Sequence, residues 1–174
     1  AEVTLVTGPS PLDTPPGVRR IDVVPTEERH RAVEAHAGAD LVFMSAAVAD
    51  YRPKNPADRK IKKDGTSLSL ELEPTVDILA ELGAEDRPGQ VRIGFALETD
   101  RGPENARQKL EKKNLDLIVL NDPTEPGAGF GPDTNRVTLI GPENESEELP
   151  MIAKRDLAAE LLDRASRLLQ SPAH

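Results

Sequence analysis

Short apolar runs alternate with amphipathic stretches along the chain, and their order predicts an α/β fold. Val3 to Thr7 reads as a strand stopped by Gly8-Pro9-Ser10-Pro11, and Val18 to Val24 reads as a second. Thr26 is a predicted N-cap with Glu27 and Glu28 in the first turn, opening a helix that runs to Ala37. Asp40 to Ser45 is a continuous apolar run, the pattern of a strand covered on both faces. Ser67 to Glu73 alternates strictly, so Leu68, Leu70 and Leu72 share one face of an expected half-buried strand. Asp77 to Leu82 is a predicted short helix, Val91 to Ala96 a strand, Glu104 to Lys113 a helix and Leu115 to Leu120 another strand. A Gly/Pro-rich loop is expected over Asn121 to Asn135, then a strand at Val137 to Ile140 and an acidic turn at Glu143 to Glu148. Lys154 to Leu169 closes the pattern as a helix, its apolar stripe formed by Leu157, Leu161, Leu162, Ala165 and Leu168. Strands alternating with helices imply a mostly parallel sheet with helices on both faces. An opening directly on a strand is unusual for such a domain and implies a missing upstream segment.

Composition narrows the function classes. The 174 residues carry 22 Lys+Arg and 31 Asp+Glu, a net charge of −9 that argues against a general nucleic-acid binder. Aromatic residues make up only 2%, too few for a base-stacking platform, so the core must be aliphatic. The absence of cysteine excludes a disulfide framework, a thiolate metal site and a Cys nucleophile. No apolar run approaches membrane-spanning length and no secretion signal opens the chain, so a soluble cytoplasmic domain is expected. The sixteen prolines cluster in connections, where they stiffen loops.

Against this acidic background, Tyr51 to Lys63 carries six basic residues and one acid. With the following alternating segment it suggests a basic flap that leaves the main sheet and returns. Lys60-Ile61-Lys62-Lys63 reads either as an exposed basic loop or as a phosphate clamp. Because parallel sheets bind ligands at the carboxyl ends of their strands, the residues just after each strand carry most interest. Ala46-Ala47-Val48-Ala49-Asp50 follows one strand, as a packed turn or as a close backbone approach to a ligand. Gly94-Phe95 lies near the end of another, with plain packing as the alternative. Lys109 and Lys113 share a helix face, either for a ligand or as surface charge paired with Glu111 or Asp116. The loop from Gly127 to Asp133 is a mobile cover or a long connection. Neither a G-x-G-x-x-G nor a Walker A motif is present, which disfavours a dinucleotide-dependent reductase and a P-loop site. No G-x-S-x-G elbow appears, and His30 and His36 lack metal-ligand spacing and read as surface residues.

AAVADYRP (46–53), KIKK (60–63), DIL (77–79), GFALET (94–99), ARQKLEKKNLDLIVLND (106–122) and GFGPDTNRVTLI (129–140), in this order, resemble the bacterial phosphopantothenoylcysteine synthetases. The opening segment resembles that family's second strand and following loop. The resemblance implies a Rossmann-like α/β domain over residues 1–170, a frayed 171–174 tail and a homodimer, to which the Leu68/Leu70/Leu72 face is an expected contributor. It also implies a ligase that joins 4′-phosphopantothenate to L-cysteine with CTP and Mg²⁺ through an acyl-cytidylate. Such domains are often fused behind a decarboxylase that carries FMN.

Carried over by position, Ala46, Ala47 and Asp50 match the segment that holds the pantothenate moiety, with Asp50 shared by the nucleotide site. Lys60 matches the lysine needed for acyl-cytidylate formation. Asp77, Ile78, Gly94, Phe95, Lys109 and Lys113 match positions lining the nucleotide pocket. Thr75-Val76 stands where the family often has Asn-Pro, so the pocket floor is expected to differ there. The family's first strand, glycine-containing loop and first helix have no counterpart in the sequence. A truncated form acting as a non-catalytic nucleotide-binding and dimerisation module is therefore the alternative to the ligase.

Overall fold

Strand β6 (Val91–Leu97) organises the larger part of the fold, because six of its seven residues are at least partly shielded. The computed structural model describes residues 1–170 except Pro25, Asp64, Asp86, Pro126, 128–130 and Asn144. The expectations for Gly129, Phe130 and the 171–174 tail lie outside those residues. Two compact units are present, one formed by Ala1–Val33 with Ala47–Asp77, the other by Glu34–Ala46 with the chain from Ile78 onward.

In the second unit, β3 (Leu41–Met44), β6 and β7 (Leu117–Asn121) run parallel. Antiparallel β9 (Val137–Ile140) and β10 (Ser146–Glu148) extend the sheet to the order β10-β9-β7-β6-β3. Successive strand residues point to opposite faces, and two apolar layers result. Ile93, Val119, Val137 and Leu139 pack with Leu157, Leu161 and Ala165 of α4 (Lys154–Gln170). Ala96, Ile118, Leu120 and Ile140 pack on the other face with Leu79 of α2 (Ile78–Ala84) and with Ala106 and Leu110 of α3 (Gly102–Lys112). Helices therefore cover both faces, as the alternating pattern predicts. Ile93, Ile118 and Ile140 are fully buried, each a burial of about 1.5–3 kcal/mol. A small ladder of β8 (Thr134–Asn135) and β11 (Ile152–Ala153) leads the chain into α4.

The first unit contains a parallel pair, β1 (Val3–Thr7) and β2 (Val18–Asp22), followed by α1 (Thr26–Glu34). Glu28 of the first turn accepts a bond from the Val24 amide at 3.1 Å. The basic segment leaves through β4 (Tyr51–Pro53) and returns through β5 (Leu72–Pro74), which pair antiparallel. Arg52 ties this hairpin together by pairing with Glu73 at 2.7 Å and with Glu27 of α1.

Three expectations are corrected. The alternating 67–73 segment forms a strand only from Leu72, and Leu68, Leu70 and Leu72 are exposed rather than half-buried. Alternation tells which side chains share a face, but covering that face requires a second layer. The expected acidic turn contains β10, because a short edge strand pairs through its backbone whatever its side chains. Glu147 of this strand bonds Arg164 of α4 at 2.8 Å, and that bond holds its carboxyl below the ordinary range. Leu162 leaves the apolar stripe of α4 and is exposed.

Two glycines set how closely the layers approach. A Cβ at Gly83 in α2 would run into the backbone carbonyl of Lys113, while one at Gly94 would meet Leu115 Cδ1 at 2.7 Å. Backbone yields less readily than the end of a leucine. Gly83→Ala is therefore expected to destabilise the protein by about 1–3 kcal/mol despite alanine's better helix propensity, and Gly94→Ala by less. Chemical denaturation of the two variants, with unchanged m-values, checks both sign and order.

Candidate functional site

Strands β3, β6 and β7 end at one rim of their sheet, with Ala46, Glu98 and Asp122 emerging just beyond them. Loops diverge at such a rim, which makes it the natural place for a ligand. Glu98 is the most firmly held side chain there. Its amide donates to the Asn121 carbonyl at 3.2 Å, fixing the turn to the neighbouring strand. Oε1 accepts from Lys109 Nζ at 2.5 Å and Oε2 from Asn105 Nδ2 at 3.0 Å. Asn105 and Lys109 lie four apart on α3 and so share the face that looks back at the strand end. The bond from Lys109 holds the Glu98 carboxyl below its ordinary range, against the upward pull of partial burial and with help from Asn105.

The other sequence candidates of this unit fall at several places. Lys113 caps the C-terminus of α3, its amide donating to the Lys109 carbonyl at 3.0 Å and its own carbonyl lying against Gly83. Lys109 thus pairs with Glu98 rather than with Glu111, and the Asp116 carboxylate takes the Arg92 amide at 2.7 Å. Gly94 faces Leu79 and Leu115, whereas Phe95 packs into the layer beneath α4. Adjacent strand residues with opposite faces offer one pocket only their backbone. Ile78 is buried at the start of α2.

In the first unit, Ala47, Asp50 and Lys60 are exposed, as is Asp77 at its end. Thr75 sews the Asp50 turn in place: its amide donates to the Asp50 carbonyl at 2.9 Å and its hydroxyl to the Ala49 carbonyl. The threonine that departs from the family pattern is thus the residue that anchors the AAVAD segment. Lys54 and Glu71, joined at 2.5 Å, stand where the flap leaves the hairpin that carries Lys60.

A cleft of about 240 Å³ also opens in the second unit, lined in part by Glu98, Thr99, Asp122, Arg136 and Thr138. Arg136 stands between Glu125 at 3.3 Å and Glu148 at 3.7 Å. Thr124 bonds Asp122 through its hydroxyl and amide and holds that carboxyl below its ordinary range. Carboxylates outnumber the single guanidinium, so the lining suits a polar or cationic group rather than a triphosphate. None of the nucleotide candidates lines this cleft. Sequence reading did not single out Asp122, Arg136 or the Glu98 fork. The spacing rule singled out Lys109 together with Lys113, and Asn105 went unread. Among the described residues no group of three or more His, Asp or Glu side chains is arranged to hold a metal ion, and no helix is long and apolar enough to cross a membrane.

Comparison with known proteins matches nearly the whole chain. The family model described as the DNA/pantothenate metabolism flavoprotein C-terminal domain covers residues 1–169. The coenzyme A biosynthesis bifunctional protein CoaBC of Bacillus subtilis (strain 168) is 43% identical over 170 residues, which is 97% of this chain and 42% of that protein. A protein named cysteine/cysteine sulfinic acid decarboxylase, from an unknown prokaryotic organism, is 42% identical over 173 residues, 97% of this chain and 48% of its own length. The chain spans less than half the length of these curated relatives. The crystal structure of a CoaBC C-terminal domain superposes with a TM-score of 0.78 at 37% identity, covering 97% of this chain and 75% of that one. With its sequence and its fold matched over almost every residue, the chain belongs to the family of DNA/pantothenate metabolism flavoprotein C-terminal domains.

Proposed function

We propose that the protein is a CTP-dependent ligase that joins 4′-phosphopantothenate to L-cysteine, with residues 1–170 acting as one synthetase domain. The observation that carries this reading is the 43% identity to CoaBC over 97% of the chain. In the first half-reaction the phosphopantothenate carboxylate attacks the α-phosphorus of CTP and expels pyrophosphate, leaving an acyl-cytidylate. In the second the cysteine amine attacks the acyl carbon, loses a proton, forms the amide and releases CMP. The protein must align a carboxylate with phosphorus, spread the charge of the phosphates and keep water from the mixed anhydride.

Lys60 is assigned to the α-phosphate, where an ammonium offsets the charge that develops during attack. Ala46, Ala47 and Asp50 are assigned to the pantothenate moiety, the turn at Asp50 being held by Thr75. Asp50, Asp77, Ile78, Gly94, Phe95, Lys109 and Lys113 are assigned to the nucleotide, with Gly94 and Phe95 contributing backbone. Magnesium is assigned to the triphosphate, as part of the substrate. A homodimer and a fused FMN-carrying decarboxylase complete the proposal, in keeping with the bifunctional name of the relative.

Lys60→Gln is expected to lower acyl-cytidylate formation by about 100-fold while leaving the melting temperature unchanged, because Lys60 is exposed. CMP release and thermal melting measure the two effects, and equal losses of activity and stability would remove Lys60 from this role. Trypsin is expected to cut between Lys60 and Lys63, and CTP to slow the cutting. CTP binding without any CMP release would select the non-catalytic module instead.

A further inference from the structure

We infer that Glu98 is a positioning residue that holds the Lys109 ammonium ready for a nucleotide phosphate. The inference rests on the assignment of Lys109 to the nucleotide and goes beyond it, since Glu98 carries no role in that reading. A lysine on a helix surface has a long flexible stem, and binding a phosphate with it requires ordering that stem. Here the ordering is already done. Glu98 is fixed at three points: its amide to Asn121, one carboxylate oxygen to Asn105 and the other to Lys109. Asn105 is itself held by a bond to the Asp100 carbonyl at 3.1 Å. The carboxylate is thus a rigid anchor, with its side chain only 15% exposed, whereas that of Lys109 is 43% exposed. An ammonium has three N–H donors, and the bond to Glu98 occupies one. The others remain for an incoming anion.

The competing explanation is that Glu98 and Lys109 merely brace α3 against the end of β6. A further possibility is that Glu98, being an anion, opposes a polyanionic ligand. The three differ in sign. Positioning requires that loss of the carboxylate weaken nucleotide binding. Simple charge repulsion requires that it strengthen binding, and a brace requires that it alter stability with no effect on binding.

The test is the dissociation constant for CTP, measured calorimetrically with the intact protein and its variants. Glu98→Gln is expected to weaken CTP binding by about tenfold, with Glu98→Asp falling between it and the wild type. Lys109→Met should weaken binding at least as much, and the double variant should be no worse than Lys109→Met alone. Equal or tighter CTP binding by Glu98→Gln, while Lys109→Met is impaired, would overturn the positioning role and leave the nucleotide assignment standing. Losses that add in the double variant would also overturn it, because Glu98 would then act independently of Lys109. Normal CTP binding by Lys109→Met, or none by the wild type, would instead strike the assignment on which the inference rests. Should Glu98→Gln fail to fold, Glu98→Asp decides the same question, since it keeps the charge but shortens the reach.

Discussion

Burial of β6 on both faces is the constraint on which the second unit depends. A strand in the middle of a parallel sheet presents side chains to two layers at once, so each residue must suit the helix it meets. Ile93 meets the α4 layer, and Gly94 meets Leu79 and Leu115 in the layer of α2 and α3. Once these contacts fix the strand, its end is fixed as well, and the turn at Glu98 emerges at a determined height on the rim. The bond from the Glu98 amide to Asn121 carries that placement across to β7. Rigid layers beneath and polar side chains at the rim are the same arrangement viewed from two sides.

Much of the fold was legible in the sequence, from the partly exposed β1 to the buried strands of the second unit. Val137 to Ile140 and the closing helix have apolar positions at the period of their structure and are observed within a residue of expectation. The 67–73 segment has equally regular alternation, yet its leucines are exposed, since periodicity records a face and never its cover. β10 was hidden for the opposite reason: Ser146-Glu147-Glu148 has no apolar signal, and backbone pairing alone recruits it to the edge of β9. At the candidate site, Lys109 and Lys113 were readable as one helix face, but the partner of Lys109 lies eleven residues before it across a turn. No local rule connects a helix lysine with a carboxylate on the preceding strand end.

Charge is distributed in the same selective way. A chain of net charge −9 concentrates its basic surplus between Tyr51 and Lys63. Part of that surplus is spent on the base of the hairpin, where Arg52 meets Glu27 and Glu73, and Lys54 meets Glu71. Exposed pairs of this kind contribute little one by one, at about 0–1 kcal/mol. Their value lies in joining both ends of one excursion to each other and to α1. The lysines of KIKK sit beyond that clasp, on the exposed part of the loop.

The two lysine groups therefore suit different tasks in the proposed ligase. Lys109 is held by a carboxylate that is itself held, which favours a fixed geometry and a bound ground state. Lys60 rides on the exposed segment beyond the Lys54–Glu71 pair, which favours approach after the nucleotide has arrived. An ammonium that arrives with the substrate can act on charge that appears only during attack, and such an interaction raises kcat rather than lowering KM. A prepositioned ammonium does the reverse, lowering the cost of ordering on binding. The division between binding and chemistry in the proposed reaction thus follows from how each lysine is tethered.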